Sequence, residues 1–174
     1  MEDSTSIGRR WEEMNYDILA KIFQSFDILE LTSGIAHVCR TWRLAACDPL
    51  LWKSKTLDLS MLKSHFIYLT DQPYVYVHSQ SDKTLTKVLK IALNLSRGNI
   101  QTIIFHFNLF VSSNHLTYVA ERCPRLKRLV MPAWNRIKRT EIRSAIRMWE
   151  DLESLTMPSM ANSAFLMHEI SRNC

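Results

Sequence analysis

Cysteine and histidine are the residues whose chemistry depends most directly on spacing, and their spacing in this chain argues against a metal site. The 174 residues include four cysteines and six histidines. No two cysteines form a C-x-x-C pair, and none pairs with a histidine at the separation of a zinc finger. We therefore expect no zinc module and no cofactor. We also expect reduced cysteines, as in proteins of the nucleus or the cytoplasm.

Motifs of hydrolytic and phosphoryl-transfer enzymes are also missing from the sequence. The chain has three glycines in all, too few for a glycine-rich phosphate loop, and it contains no G-x-S-x-G or H-E-x-x-H motif. A Ser-His-Asp site assembled from distant residues stays open at this level, although nothing in the sequence favours it. We therefore expect a protein that is not an enzyme.

Positive charge is concentrated in one run near the middle of the chain. The formal net charge is +5, and residues 122–139 contain no acidic side chain. The basic residues of this run are Arg122, Arg125, Lys127, Arg128, Arg136, Lys138 and Arg139. Such a run binds nucleic-acid phosphates if its charges line one face. Because it covers a helix end, a strand and a loop, we favour a solvated surface and keep nucleic-acid binding as the weaker alternative.

Three short helices are predicted within residues 11–52. Asn15 can cap the first helix, and its apolar side chains recur on one face, at Ile18, Leu19, Ile22, Phe23 and Phe26. The second and third helices share one apolar run, interrupted by a break at 37–39: Leu31, Ile35, Val38, Cys39, Trp42 and Ala46. So short a segment cannot bury all of this surface within itself. The excess must contact the rest of the chain or another protein.

This stretch resembles an F-box. The resemblance rests on the order and spacing of three segments, 17–23, 38–43 and 48–52. Met14-Asn15 departs from the Leu-Pro with which F-boxes usually open. The resemblance implies docking on a Skp-type adaptor and, through it, on the cullin of a ubiquitin ligase. The residues implied for this contact are Met14, Ile18, Leu19, Ile22, Phe23, Val38, Cys39, Trp42, Leu51 and Trp52. Trp42 and Trp52 are equally consistent with local core, and residues 50–52 with a seal against the next domain.

The second half of the chain is periodic at a longer scale. The pattern Ile100-x-x-Ile103-x-Phe105 returns at 126–131 and at 152–157, a step of 26 residues each time. Helical apolar faces alternate with these strands, at 85–93, 116–123, 142–149 and 167–174. Equal-period units of one strand and one helix are typical of leucine-rich repeats, which stack into a curved solenoid with parallel strands. We predict an α+β protein with a polar tail (1–10), an F-box (11–54), an irregular first repeat or connection (55–82) and leucine-rich repeats (83–174).

The whole chain is similar to the plant-type F-box/leucine-rich-repeat family, in which cysteine-containing units like 123–126 accompany the F-box. The resemblance implies a substrate-receptor subunit of an SCF-type ubiquitin ligase. In the repeat strands, alternation points one set of side chains outward, where a target protein would bind: Thr102, Ile104, Arg128, Val130, Ser154 and Thr156. A protein-interaction scaffold outside any ligase is the alternative. No apolar run approaches the roughly 18 residues of a membrane helix, so we expect no membrane partner.

The repeat register also leads to an expectation about the end of the chain. Cys174 lies 51 residues after Cys123, at the position where a further strand would begin. We therefore expect repeats that are incomplete at the C-terminus, in a truncated or naturally short member of the family. A frayed last helix and self-association through an open strand edge would follow.

Overall fold

The computed structural model describes residues 11–60, 79–132, 135–158 and 163–173. Its N-terminal region is helical. The 3-10 turns are Trp11–Glu13 and Ile35–His37, and the helices are α1 (Tyr16–Phe23), α2 (Ile28–Ser33), α3 (Arg40–Ala46) and α4 (Pro49–Lys53). The region thus contains four short α-helices rather than the three predicted. The extra helix arises because Asp48 accepts a hydrogen bond from the Leu50 amide at 2.7 Å and Pro49 occupies the first turn.

Side-chain caps fix the other helix starts in this region. The Asn15 side chain accepts a hydrogen bond from the Asp17 amide at 2.8 Å, which begins α1. Asp27 and Glu30 form a reciprocal capping box at the start of α2, with hydrogen bonds of 2.8 and 2.9 Å. The Cys39 sulfur accepts from the Trp42 amide at 3.5 Å, so α3 begins after the break predicted at 37–39.

A four-stranded parallel sheet follows, as the alternating apolar pattern predicts. Its strands are β1 (Thr56–Asp58), β2 (Thr102–Ile104), β4 (Arg128–Val130) and β6 (Ser154–Thr156), in the order β1-β2-β4-β6. Thr102 pairs with Arg128, and Arg128 with Ser154, so the pairing repeats the 26-residue step of the sequence. The central residues Ile103 and Leu129 are buried, which confirms the inward register predicted for them.

Helices alternate with these strands along the chain. They are α5 (Ser79–Ser96), α6 (Ser113–Arg122), α7 (Arg139–Ile146) and α8 (Ser163–Asn173), and a small second sheet pairs β3 (Val111–Ser112) with β5 (Asn135–Arg136) in parallel. Successive helices contact each other, α5 with α6, α6 with α7, and α7 with α8. The partly exposed Arg143 on α7 forms an ion pair with the buried Glu169 on α8, with 3.1 Å between Nε and Oε1. These helices therefore pack in chain order, each against the next.

The helical region and the sheet share one hydrophobic core. Helix α2 packs on β1 and α5, and Leu31, Trp52, Leu57 and Leu89 are all fully buried. The Lys55 ammonium donates to the carbonyl oxygen of Phe26 at 2.6 Å and to that of Gln24 at 3.1 Å. A cation at these carbonyls satisfies the C-terminal end of α1. Desolvation of this ammonium lowers its pKa, although Asp27 and Glu30 oppose the effect.

Three predictions lie wholly or partly outside the described residues. The polar tail at 1–10 is not described and stays a prediction. The connection at 61–78 is not described, so the irregular repeat proposed there stays a prediction. Cys174 is not described either, and the expected fraying and self-association at that end also stay predictions. Within α8, Leu166 is buried and Met167 is exposed, as for one amphipathic face.

Candidate docking surfaces

Large apolar side chains are exposed mainly on the helical region. Of the ten that the described part of the chain exposes, seven belong to residues 11–50. These seven are Trp11, Tyr16, Ile18, Ile22, Val38, Leu44 and Leu50. Single exposed apolar residues are ordinary, whereas a concentration of them on one small region is typical of a protein-interaction site. We call these seven residues the apolar surface.

Tertiary hydrogen bonds hold the elements that carry the apolar surface. The Trp42 indole nitrogen donates to the Trp11 carbonyl oxygen at 3.0 Å, which joins the first 3-10 turn to α3. The Tyr16 hydroxyl donates to the Asp48 carboxylate at 2.9 Å, which joins the start of α1 to the start of α4. Partial burial, then the hydrogen bond and charge of Asp48, raise the pKa of Tyr16. The phenol therefore stays protonated and keeps donating at neutral pH.

A second candidate surface lies on the outer face of the parallel sheet. The register aligns Asp58, Ile104, Val130 and Thr156 in one row across the four strands. Thr56, Thr102, Arg128 and Ser154 form the adjacent row. Neighbouring strands lie roughly 4.8 Å apart, so these eight side chains form one compact patch, which we call the sheet surface. Four of its eight side chains are small hydroxyl residues, two are the aliphatic Ile104 and Val130, and the other two are one carboxylate and one guanidinium.

Comparison with known proteins identifies the helical region. The F-box-like family model matches residues 16–58. The N-terminal region is an F-box-like domain. Over 166 residues the chain is 61% identical to F-box/LRR-repeat protein At3g48880 of Arabidopsis thaliana, covering 95% of this chain and 53% of that protein. The chain is therefore a homologue of plant F-box/leucine-rich-repeat proteins.

More distant relatives from the same organism agree with this assignment. A putative F-box protein, At4g11580, is 26% identical over 89% of this chain and 56% of its own length. F-box protein SKIP1 is 24% identical over 96% of this chain and 53% of its own length. The chain thus spans about half the length of the curated relatives it matches.

The F-box-like domain divides the ten residues predicted for adaptor contact into three groups. Ile18, Ile22 and Val38 are exposed, with 53%, 41% and 56% of their surfaces accessible. Met14, Cys39 and Trp42 are partly buried. Leu19, Phe23, Leu51 and Trp52 expose at most 1%. This placement argues against direct adaptor contact for the last four, because a side chain enclosed by its own chain has no area to offer a partner. The other six stay predictions.

The partly buried and buried groups explain how the F-box-like domain is packed. Phe23 meets Trp42 edge to face, with ring centroids 5.5 Å apart and planes 62° apart. The Trp52 indole nitrogen donates to the Ala46 carbonyl oxygen at 2.6 Å inside the core. Among adaptor contact, local core and a seal against the next domain, this complete burial favours local core for Trp52. Trp42 is only partly buried, so one part of its side chain packs in the core and another part is accessible to solvent.

Four members of the apolar surface were not predicted from the sequence: Trp11, Tyr16, Leu44 and Leu50. A usable signal existed for Leu44. Ala45 and Ala46 are the buried residues of α3, and small side chains let helices approach closely, so the neighbouring large Leu44 must face outward. Leu50 follows from Leu51 and Trp52, because all three cannot point inward from one helical turn.

The sheet surface brings together all six residues predicted to face a target protein. Arg128, Ser154 and Thr156 are exposed, and Thr102, Ile104 and Val130 are partly exposed. Strand β1 adds Thr56 and Asp58, which the repeat period did not predict because the spacing from β1 to β2 is longer than 26 residues. Whether a target protein binds here stays a prediction.

Charges from the basic run are distributed over several parts of the structure. Arg122 and Arg125 lie at the end of α6, beside a pocket. Lys127 forms an ion pair with Glu153, Arg128 belongs to the sheet surface, and Arg139 begins α7. A phosphate backbone needs cations along one continuous face. The described basic residues of the run therefore lie on several elements, an arrangement that favours a solvated surface over a nucleic-acid footprint.

We expect weak, salt-sensitive binding to nucleic acid. The few cations that reach any one face can release few counterions, so duplex DNA and RNA should show no measurable binding near physiological salt. A fluorescence anisotropy titration at low salt and at ~0.15 M salt would measure this. Sub-micromolar affinity at the higher salt would revive the nucleic-acid alternative.

His115 is a buried polar residue that links α5 to α6. Its Nε2 lies 2.9 Å from the Thr86 hydroxyl and 3.5 Å from the Asp82 carboxylate, and the Ser112 backbone N–H donates to its Nδ1 at 3.3 Å. The Thr86 hydroxyl itself donates to the Asp82 carbonyl oxygen at 2.8 Å. Nε2 must therefore carry the proton and donate to Thr86. The Ser112 hydroxyl also lies 3.2 Å from Nδ1, and Ser112 and His115 together form a reciprocal capping box at the start of α6.

We expect stability to fall in mildly acidic solution because of His115. Burial lowers the pKa of this imidazole below 6.5, although Asp82 opposes the effect. Below pH 6.5 the unfolded chain takes up a proton that the folded chain resists. The contribution of neutral His115 to the free energy of unfolding is complete above pH 6.5. It is lost as the pH falls through the pKa of His115 in the folded chain. Urea denaturation between pH 8 and pH 5 should show this loss.

The matched variant is His115→Gln, which keeps an acceptor for the Ser112 amide and a donor for Thr86 but does not titrate in this range. Its stability should change less with pH than that of the wild type. Identical pH dependence of the two proteins would show that His115 is not the responsible group.

Side chains suited to metal binding are dispersed in the fold. No three His, Cys, Asp or Glu side chains come together as a metal ion would require, in any of the ranges that the structure describes. None of the described helices has both the length and the apolar character needed to cross a bilayer.

Proposed function

We propose that this chain is a substrate-receptor subunit of an SCF-type ubiquitin ligase. The F-box-like domain would dock on a Skp-type adaptor and, through it, on a cullin. The observation that carries this proposal is the concentration of exposed apolar side chains on a domain whose own core is already complete. Leu19, Phe23, Leu51 and Trp52 fill that core. Ile18, Ile22, Val38, Leu44 and Leu50 remain available for a partner.

The repeats supply the second half of the proposed function. We propose that the strand–helix units form a leucine-rich-repeat solenoid and that the sheet surface holds a target protein. Its mixture of Asp58, Arg128 and small hydroxyl side chains suits a polar target segment. This chain would perform no chemistry. It would raise the effective concentration of target lysines near the conjugating enzyme.

A nuclear or cytoplasmic location is part of the proposal. Three of the cysteines, Cys39, Cys47 and Cys123, are free thiols in the described part of the chain. Burial raises the pKa of the Cys123 thiol to about 12, which keeps it protonated and unreactive. These features suit a reducing compartment.

Co-expression with a Skp-type adaptor, followed by size-exclusion chromatography, tests the proposal. We expect a complex that co-elutes and survives dilution to micromolar concentration, because the apolar surface includes several side chains of the hot-spot type. If the two proteins elute separately at micromolar concentration, the chain is better described as an interaction scaffold that does not use this adaptor.

A further inference from the structure

A pocket of about 660 Å³ lies between the C-terminal ends of α5 and α6. Its polar lining comes from Asn94, Arg97 and Asn99 on the first side and from Glu121, Arg122 and Arg125 on the second. The volume is within the roughly 300–1,000 Å³ typical of small-molecule sites. None of these residues belongs to the apolar surface or to the sheet surface.

Positive charge dominates this pocket, which we call the arginine pocket. Arg97, Arg122 and Arg125 line it, against the single carboxylate of Glu121 among the described lining residues. Within the part of the chain that the structure describes, no carboxylate forms an ion pair with any of these guanidinium groups. Arg122 instead lies over the Tyr118 ring, with its guanidinium carbon 5.6 Å from the centroid. Forked donors of three arginines are thus available to a ligand.

The backbone at the end of α5, which forms the first side of the pocket, comes close to the end of α6, which forms the second side. Arg97 and Gly98 are both left-handed, with φ angles of 50° and 79°. A Cβ atom on residue 98 would lie 3.2 Å from the Arg122 carbonyl oxygen. Glycine therefore lets the end of α5 reach the end of α6. This contact places Arg97 beside two arginines that follow it by about 25 residues in the sequence.

The position of the arginine pocket at two helix C-termini limits the kind of anion that it can bind. Helix C-termini carry a partial negative charge, which favours the arginines there and disfavours a bound anion. Side chains must therefore supply the binding, and only a ligand with several charged oxygens can engage three guanidinium groups together. We propose that the arginine pocket binds a small molecule that carries phosphoryl groups. An extended nucleic acid fits less well, because the charges are confined to one pocket and do not follow a groove.

Isothermal titration calorimetry of the purified chain with inorganic pyrophosphate tests the proposal. The variants are Arg97→Gln and Arg125→Gln. The matched control is Arg139→Gln, which removes the same charge from the exposed start of α7. Each pocket variant should weaken binding by about 10-fold or more, since hydrogen bonds to charged groups have this strength. The control should differ from the wild type by less than about 2-fold.

Three results would overturn the proposal. The first is no pyrophosphate binding by the wild type at millimolar concentration. The second is equal weakening in the control variant, which would indicate general charge attraction. The third is tighter binding of a phosphoserine peptide or a single-stranded RNA than of pyrophosphate, which would assign the pocket to a macromolecule. Unchanged thermal midpoints of the variants exclude misfolding, and the titration needs no adaptor, so it is independent of the proposed ligase role.

Discussion

Replacing Ile22 by aspartate is expected to abolish adaptor binding while leaving the fold intact. Ile22 lies on α1 with 41% of its surface exposed, so its side chain contributes little to the chain's own core. Alanine at an interface hot spot typically costs about 2 kcal/mol, or roughly 30-fold in affinity. Aspartate adds the penalty of burying an unpaired charge in an apolar contact. Binding should then fall below detection in surface plasmon resonance with the purified adaptor.

The control for this experiment is Met167→Asp. Met167 is 68% exposed on α8, far along the chain from the F-box-like domain, and the same chemical change is made there. Adaptor binding by this variant should match that of the wild type. Equal loss in both variants would indicate a general effect on solubility or folding and would remove the support for the apolar surface.

Ile18 and Leu19 show why sequence periodicity could not locate the docking surface alone. Both are apolar and adjacent on α1, yet Ile18 is 53% exposed and Leu19 is 1% exposed. A helix that serves a core on one side and a partner on the other is apolar around most of its circumference. Its pattern predicts a helix correctly but does not say which apolar residue faces which neighbour. The buried face of α1 is determined by α3, which packs against it.

The repeat region was more predictable, because its signal is repeated. The 26-residue step of the sequence aligns Ile103, Leu129 and Leu155, and the parallel register pairs the same residues. Two features could not be predicted in this way. His115 is polar on an otherwise apolar face, and its partner Thr86 lies 29 residues earlier in the chain. The arginine pocket likewise combines Arg97 with a distant basic run, and only the fold brings them together.

Trp52 provides the second large effect, this time on stability. Its side chain is completely buried, and its indole nitrogen donates to the Ala46 carbonyl oxygen at 2.6 Å. Trp52→Ala should lower the free energy of unfolding by about 3–5 kcal/mol, the usual result of emptying a large aromatic site. Trp52→Phe keeps most of the apolar volume but leaves the buried carbonyl without its donor, at a cost of roughly 1–3 kcal/mol. Urea denaturation measures both differences.

The neighbouring residue Leu50 distinguishes a core role for Trp52 from a docking role. Leu50 is 72% exposed on the same helix, so Leu50→Ala should change stability by less than about 0.5 kcal/mol and should weaken adaptor binding instead. Trp52→Phe should show the reverse, with lower stability and unchanged affinity under conditions where it is fully folded. If Trp52→Phe weakened adaptor binding at unchanged stability, Trp52 would contact the adaptor. The assignment of Trp52 to the core of the F-box-like domain would then be wrong.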